Sequence, residues 1–316
     1  MPSDLSRALA TVVDDCLGVS PGESVLVVAD LPSQPMGEAL RDRAEASGAD
    51  ATLVVMAERA THGTEPPPPV AAALAAADAF LAPTAKSLSH TAARQAATER
   101  GVRGATLPAV TGDILARVMD VDLPALRERS RRVAELLDGG PEAHLTCPRG
   151  SDLHLDLTDR RGLADDGDLT APGAFGNLPC GEGFIAPAGG EGVLVAGSIA
   201  SLGLTTDQPA RLTVAQGRLT EAEAPAGEQL LAALTAHGEA GTNLAELGVG
   251  TNDRATLTGN VIEDEKVLGT VHVAFGASAG IGGTVSVPIH LDCVVLDATL
   301  RVDGTRVLEE GRLALE

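Results

Sequence analysis

Apolar residues in the first part of the chain follow two alternating spacings. Short continuous apolar runs, typical of buried strands, occur at SVLVVAD (24–30), ATLVVMA (51–57), AFLAP (79–83) and GATLPAV (104–110). Helical spacing fills the intervals, at residues 36–47, after the prolines at 66–69, from Ser89 onwards and over 111–138. Strands that alternate with helices in this way predict a parallel sheet with crossover helices.

The pattern changes after Gly139 and Gly140. Alternating or continuous apolar runs predict strands at 152–158, 191–200, 210–223 and 271–276, and a hairpin with an Asp-Gly turn at 299–310. One clear helix, about 226–237, interrupts them. We therefore predict an α/β fold. An N-terminal open α/β domain with a parallel sheet (1–140) precedes a C-terminal β-rich, barrel-like α+β domain (141–316).

Composition narrows the possible partners. The 316 residues carry a formal net charge of −21, which argues against binding nucleic acid or an anionic membrane surface. No apolar run reaches the ~18 residues of a membrane span, and the N-terminal stretch is amphipathic rather than signal-like. The four cysteines form no CxxC pair. These features favour a reduced, cytoplasmic protein.

Two residue types are scarce in ways that affect chemistry. The chain has no Trp and no Tyr, so no phenol can act as an acid or a hydrogen-bond donor. Its only lysines are Lys86 and Lys266 among 23 basic residues. A lysine retained in such an arginine-rich chain indicates either a position that needs a compact ammonium group or chance.

The segment IHLDCVV holds the first candidate ligands. On a strand, His290 and Asp292 point to the same face, so an imidazole nitrogen and a carboxylate oxygen can converge on a cation. His272, in the predicted strand VHVAFG, can supply a second nitrogen. Taken alone, the His-x-Asp pair favours a different interpretation, a buried histidine hydrogen-bonded to a nearby carboxylate.

Two glycine-rich segments add carboxylates. Glu182 lies in NLPCGEGFIAP and Glu246 in NLAELGVGTN. Glycine lets the backbone approach a ligand closely, and a buried carboxylate in such a loop needs a partner such as a cation. Ordinary turn and surface chemistry is the alternative interpretation.

These motifs resemble a known family. NLPCGEGF, NLAELGVGTN, DEKVLGTVHVAFG and IHLD, in this order, together with SLSHTAARQAATERGVRGATLPAVT (87–111), are similar to the aminopeptidase T (thermophilic metalloprotease) family. The resemblance spans most of the chain. It implies a metal-dependent aminopeptidase with an α/β first domain and a β-rich second domain, which pairs as a homodimer.

The resemblance also implies a ligand set. It assigns Glu182, Glu246, His272, His290 and Asp292 to a site of two divalent metal ions, for which zinc, cobalt or magnesium would serve. Such a pair can polarise a peptide carbonyl and generate hydroxide. Glu246 would double as general base, and the substrate would be a small peptide or a molecule derived from an amino acid.

The chain departs from that family at one catalytic position. The peptidases carry a tyrosine shortly after the first histidine, where this chain reads AFGASAGIGG. The segment between the two histidines is also shorter. Stabilisation of the transition state would then have to come from Lys266, which we take as a second candidate catalytic residue, from Ser278, from Thr284 or from backbone amides.

Two other functions remain open. Dihydroxypyridine ring-cleaving dioxygenases resemble the same fold and use two histidines and one aspartate around one iron(II) ion, which His272, His290 and Asp292 could supply. Such a site does not need Glu182 or Glu246, and their presence favours the two-metal hydrolase. The third possibility is a binding protein that has lost catalysis.

The remaining cations are candidates for substrate binding. His90 and Arg94 are four residues apart and would share one helix face, preceded by Lys86. These three could bind a substrate carboxylate, or they could form a solvated basic face behind a cap at Ser89. His62, His144, His154 and His237 form no constellation in the sequence and are interpreted as structural or surface residues.

Overall fold

The computed structural model describes residues 3–314 of the protein. These residues form two compact units. The first contains the residues up to Asp122 together with Gly167–Cys180, and the second contains Leu123–Asp166 together with the residues from Gly181 onwards. Among the helices of the described residues, none is long and apolar enough to cross a membrane.

Twenty strands are assigned within the described residues. In chain order they are β1 (Ser24–Asp30), β2 (Asp50–Met56), β3 (Ala79–Ala82), β4 (Arg103–Thr106), β5 (Glu142–Thr146), β6 (Asp152–Asp156), β7 (Leu163–Asp165), β8 (Phe175–Asn177), β9 (Glu182–Ile185), β10 (Gly189–Ala196), β11 (Ser198–Ile199), β12 (Gly203–Leu204), β13 (Ala210–Ala215), β14 (Arg218–Glu223), β15 (Leu244–Gly250), β16 (Val271–Gly276), β17 (His290–Val295), β18 (Thr299–Val302), β19 (Thr305–Glu309) and β20 (Arg312–Leu313).

Nine α-helices connect or flank these strands in the same part of the chain. They are α1 (Ser3–Ala10), α2 (Gln34–Ala46), α3 (Pro68–Leu74), α4 (Ala92–Glu99), α5 (Gly112–Val118), α6 (Leu123–Leu137), α7 (Pro225–Thr235), α8 (Gly238–Gly241) and α9 (Val261–Asp264). A π-helical segment, Thr11–Cys16, continues α1, and a short 3₁₀ turn spans Ala279–Ile281.

The first unit is built on a parallel five-stranded sheet. Its order is β2-β1-β3-β4-β8, and every pairing is parallel. Strands β1, β3 and β4 are almost wholly buried, which explains the continuous apolar runs of β1 and β3. Phe80 of β3 lies in the core, and its ring stacks 6.4 Å from that of Phe175 in β8.

The second unit contains two antiparallel sheets around one core. The eight-stranded sheet has the order β14-β13-β10-β6-β5-β18-β19-β20, and the seven-stranded sheet has the order β12-β11-β17-β16-β15-β9-β7. One cluster of buried side chains joins the two sheets. It contains Leu145, Leu153 and Leu194 of the eight-stranded sheet and Leu247 and Val273 of the seven-stranded sheet. The predicted fold class, a parallel α/β part followed by a β-rich part, is confirmed.

The compact units divide the chain differently from the predicted ranges 1–140 and 141–316. Helix α6 buries Val133 and Leu137 in the core of the second unit. Strand β8 extends the parallel sheet of the first unit, although it follows β5, β6 and β7 in the chain. Both differences arise from tertiary packing, which local apolar spacing does not record.

The parallel sheet gives a first testable prediction. A Cβ at Gly104 of β4 would overlap the ring of Phe80, so Gly104→Ala should lower the free energy of unfolding by about 1–3 kcal/mol. Urea unfolding measures this change. Gly112→Ala is the matched control, because a Cβ there lies 3.6 Å from Leu5, an ordinary contact. Equal stability of the two variants would contradict the packing described.

Candidate metal centre

The five candidate ligands lie on four neighbouring strands of the seven-stranded sheet. Glu182 begins β9, Glu246 is in β15, His272 is in β16, and His290 and Asp292 are in β17. These strands are adjacent in the order β17-β16-β15-β9. Register brings the ligands together, since Gly250 pairs with Glu182, Gly248 with His272 and Ala274 with Asp292. Residues distant in sequence thus meet on one sheet.

The carboxylate of Glu246 lies between the two imidazoles. Its Oε1 is 3.3 Å from Nε2 of His272, and its Oε2 is 3.2 Å from Nε2 of His290. Glu182 Oε2 is 3.2 Å from the same nitrogen of His272, and Asp292 Oδ1 is 3.5 Å from Nε2 of His290. All five side chains are at most 12% exposed. Both Nε2 atoms are therefore directed at one bridging carboxylate.

The donor atoms form two overlapping groups. The ligand atoms of Glu182, Glu246 and His272 lie within 4.8 Å of one another, and so do those of Glu246, His290 and Asp292. Imidazole nitrogen combined with carboxylate oxygen suits first-row divalent metals. Within the described residues, the arrangement can accommodate one ion, or two ions that share Glu246.

Two observations show that the residues fit a cation. Glu182 Oε2 is buried and lies 3.2 Å from Nε2 of His272 without the geometry of a hydrogen bond, an arrangement that a cation between the two atoms would relieve. Nδ1 of His290 donates to the Ala277 carbonyl oxygen at 2.7 Å. Because a carbonyl oxygen only accepts, the proton of a neutral His290 is on Nδ1 and the Nε2 lone pair is available to a metal.

Lys266 lies beside this group rather than in it. Its side chain is fully buried, and its ammonium nitrogen is 2.5 Å from Glu182, 2.9 Å from Glu265 and 3.4 Å from Asp165. Burial alone would lower the pKa of Lys266, but the three carboxylates outweigh it and raise the pKa above its usual value. The ammonium is therefore a fixed positive charge that holds Glu182 in place.

Sequence reasoning missed two carboxyl groups near the centre. Burial raises the pKa of Asp165 to about 7 and that of Glu265 to about 8, although Lys266 lowers both. Glu265 stands in the DEK motif next to Lys266, so its position offered a signal. Asp165, in β7, had none, since only its antiparallel pairing with Glu182 brings it close.

Histidine protons offset part of the negative charge when no metal is bound. Burial would raise the pKa of Glu246, but hydrogen bonds from His272 and His290 lower it below its usual value. Burial would lower the pKa of both histidines, and the neighbouring carboxylates outweigh it and raise the pKa well above the usual value. The cluster therefore attracts positive charge, whether carried by protons or by a metal.

The first unit places Lys86, His90 and Arg94 differently from the predicted helix face. Helix α4 begins only at Ala92, because Thr91 caps it by accepting from the Arg94 amide, so His90 precedes the helix and shares no face with Arg94. The Arg94 guanidinium lies 4.1 Å from the centroid of the Phe175 ring, and its Nε donates to the Ser89 carbonyl. A substrate role for these three residues stays a prediction.

One protein-family model matches nearly the whole chain. The model of the family described as NicX, 2,5-dihydroxypyridine 5,6-dioxygenase, matches residues 4–315, which include all five candidate ligands. The chain belongs to the NicX family. No curated protein sequence matches it significantly.

Two solved structures share the fold. The 2,5-dihydroxypyridine dioxygenase from Pseudomonas putida KT2440 is 20% identical, with 99% of this chain and 98% of that chain covered and a TM-score of 0.85. Wild-type AmpT from Thermus thermophilus is 18% identical, with 98% and 99% covered and a TM-score of 0.69. The predicted resemblance to aminopeptidase T is therefore confirmed for the fold, whereas the family is NicX.

Gly248 leaves the space that the His272 ring occupies, which gives a second prediction. A Cβ at Gly248 would overlap Nε2 of His272, so Gly248→Ala should turn the ring and weaken divalent-metal binding at least about tenfold. It should also destabilise the protein by about 1–3 kcal/mol. Equilibrium dialysis and urea unfolding measure the two effects. Gly189→Ala, with open space at its Cβ, is the control, and unchanged affinity in Gly248→Ala would contradict the geometry.

The buried carboxyl groups give a third prediction, on pH. Between the usual pKa of about 4 and their raised values, Asp165 and Glu265 bind more protons in the folded chain than in the unfolded chain. The free energy of unfolding of metal-free protein should therefore fall as pH rises from about 5 to about 8. The raised histidine pKa values act in the same direction above about 6.5.

Chelator-treated protein, unfolded in urea across this pH range, provides the measurement. Glu265→Gln resembles the protonated side chain and should flatten the dependence. A free energy of unfolding that stays constant or rises over this pH range would contradict the raised pKa values of these carboxyl groups.

Proposed function

We propose that this chain is a metal-dependent dioxygenase that opens the ring of a dihydroxylated nitrogen heterocycle. The match of the NicX family model over residues 4–315 carries the proposal. The buried cluster of two histidines and several carboxylates supports it, because such donors can hold the ion that this reaction class requires.

His272, His290 and Asp292 would hold one iron(II) ion. Two imidazole nitrogens and one carboxylate oxygen form the donor set of mononuclear iron oxygenases and leave positions open. Iron(II), when bound, supplies the redox chemistry by which molecular oxygen reacts with an electron-rich ring. The Ala277 carbonyl orients the His290 ring, because it accepts from Nδ1 and leaves Nε2 for the ion.

We assign Glu246 to proton handling. Its carboxylate is adjacent to Nε2 of both histidines, and its pKa is lowered by them, so it is anionic. An anionic carboxylate at this place can accept a hydrogen bond, and then the proton, from a ring hydroxyl at Oε1 or Oε2. Activation of a ring hydroxyl makes the ring more electron-rich.

We assign a positioning role to Lys266. It is surrounded by Glu182, Glu265 and Asp165 and contacts the candidate ligands only through Glu182 among the contacts described. Its positive charge lies 2.5 Å from the buried carboxylate group of Glu182 and fixes the position of that side chain. This role differs from the direct catalytic one expected from the sequence.

One observation favours a second function, the aminopeptidase-like hydrolysis of a small peptide. The two overlapping donor groups share Glu246, which is an arrangement that suits two divalent ions. The absence of any tyrosine removes the phenol that the peptidase resemblance requires. The homodimer and the cytoplasmic location expected from the sequence stay predictions.

The test combines metal content with oxygen consumption, and it is the fourth prediction. Protein purified without oxygen and loaded with iron(II) should consume oxygen in proportion to the loss of the 2,5-dihydroxypyridine absorbance. His290→Ala and Asp292→Ala should each lower this rate at least about 100-fold, because each removes a ligand. A circular-dichroism spectrum and a urea midpoint check that the variants fold.

His237→Ala, an exposed position outside the cluster, should retain full oxygen consumption. Release of an amino acid from a peptide by zinc- or cobalt-loaded protein, with no oxygen uptake by the iron form, would favour the hydrolase. Full oxygen consumption in Asp292→Ala would refute the ligand assignment.

A further inference from the structure

A second group of metal-binding side chains lies on the exposed face of the eight-stranded sheet. His144 is in β5, Asp152 and His154 are in β6, and Glu191 is in β10. We call these four residues the histidine patch. Buried and exposed residues alternate along β6, and Asp152 and His154 are on its exposed side. None of the four belongs to the seven-stranded sheet that holds the candidate metal centre.

Strand register brings the patch together. His144 pairs with His154 across β5 and β6, and Glu191 pairs with His154 across β6 and β10. Side chains directly opposite on neighbouring strands have Cβ atoms about 5 Å apart. Asp152 is two residues before His154 and so lies on the same face.

Contacts within the patch converge on one carboxylate oxygen. Asp152 Oδ1 accepts from Nε2 of His144 at 2.7 Å and lies 3.8 Å from Nε2 of His154. The two imidazole rings are stacked, with centroids 4.1 Å apart and planes 8° from parallel. Parallel rings whose Nε2 atoms face the same oxygen present two nitrogen donors to one point, and the ligand atoms of the three residues lie within 4.8 Å of one another.

We propose that the histidine patch binds one divalent transition-metal ion that prefers imidazole, such as zinc, nickel or copper. Two imidazoles and one carboxylate are donors of the correct chemistry, and the ion would replace the proton that His144 shares with Asp152. The strands already hold the histidines side by side, so little conformational freedom is lost on binding. Exposed side chains, 40% for His144 and 67% for His154, can adjust to the ion.

The surrounding charges favour a cation. Glu142 and Asp156 lie two residues along their strands from His144 and His154, on the same face, and they pair with each other. Arg301 of β18 pairs with His144 on the side of β5 away from β6. Across the four strands the paired positions are Arg301, His144, His154 and Glu191, so the negative charge is at the end with His154 and Glu191. A bound ion would therefore lie toward Asp152 and Glu191, away from the arginine.

This inference does not rest on the proposed function, and it affects how metal content is interpreted. A chain with one ion in the candidate centre and one in the patch would contain two equivalents. Elemental analysis alone would then suggest a two-metal hydrolase. A variant without the patch separates the two cases.

The experiment is a zinc titration of the full-length protein, followed by dialysis and elemental analysis. Wild type should bind one equivalent more than His144→Ala and than His154→Ala, or bind that equivalent at least about tenfold more tightly. His237→Ala, which changes an exposed histidine outside the patch, should match wild type. Asp292→Ala should keep the patch equivalent, which separates it from the candidate centre.

Three outcomes would overturn the proposal. Unchanged stoichiometry and affinity in both patch variants would show that no ion binds there. Loss of zinc in only one of them would contradict binding by both histidines. Equal loss in His237→Ala would show that the zinc binds exposed histidines without a defined site.

Discussion

Buried negative charge is the constraint on which the second unit depends. Glu182, Glu246 and Asp292 are buried within one sheet beside two histidines, and Asp165 and Glu265 lie close behind. Ionised carboxylates without partners cost far more free energy than the sheet could supply. Lys266 offsets one charge, and the rest must be offset by protons or by a bound cation. A metal bound at the candidate centre would therefore stabilise this unit.

Glycines in and beside these strands make room for the buried charged groups. Gly248 in β15 has no side chain where the His272 ring lies, and Gly250 has none where the backbone at Val267 passes. Gly181, with φ +130°, lets the chain turn immediately before Glu182. The glycine-rich motifs around the ligands therefore provide space for the imidazole and for the segment that carries Lys266.

Helices and strands with a strong local apolar pattern could be predicted from the sequence. Contacts that depend on which residues pair across neighbouring strands could not. Strands β1 and β16 were predicted with their observed bounds because their apolar runs are continuous. The five candidate ligands were proposed from compact motifs and the family resemblance, and the structure brings them together on one sheet. The start of α4 was missed, since Ser89 and Thr91 are both good caps. The Ser89 hydroxyl bonds instead with Thr106 and Asn177, and Thr91 accepts from the Arg94 amide. Asp165 and the pair of His144 and His154 escaped notice because strand pairing alone brings their partners near.

The net charge of the candidate centre bears on how many ions it would hold. The fold is common to a dioxygenase and to AmpT, and a fold does not by itself select the chemistry. Here the carboxyl groups with raised pKa values, Asp165 and Glu265, hold protons at or below neutral pH, and Lys266 offsets Glu182. The remaining charge is that of Glu246 and Asp292, which one divalent ion balances. A second ion would need further negative charge, which Asp165 and Glu265 could supply only by releasing their protons, so this balance is in keeping with the single ion of the proposed dioxygenase.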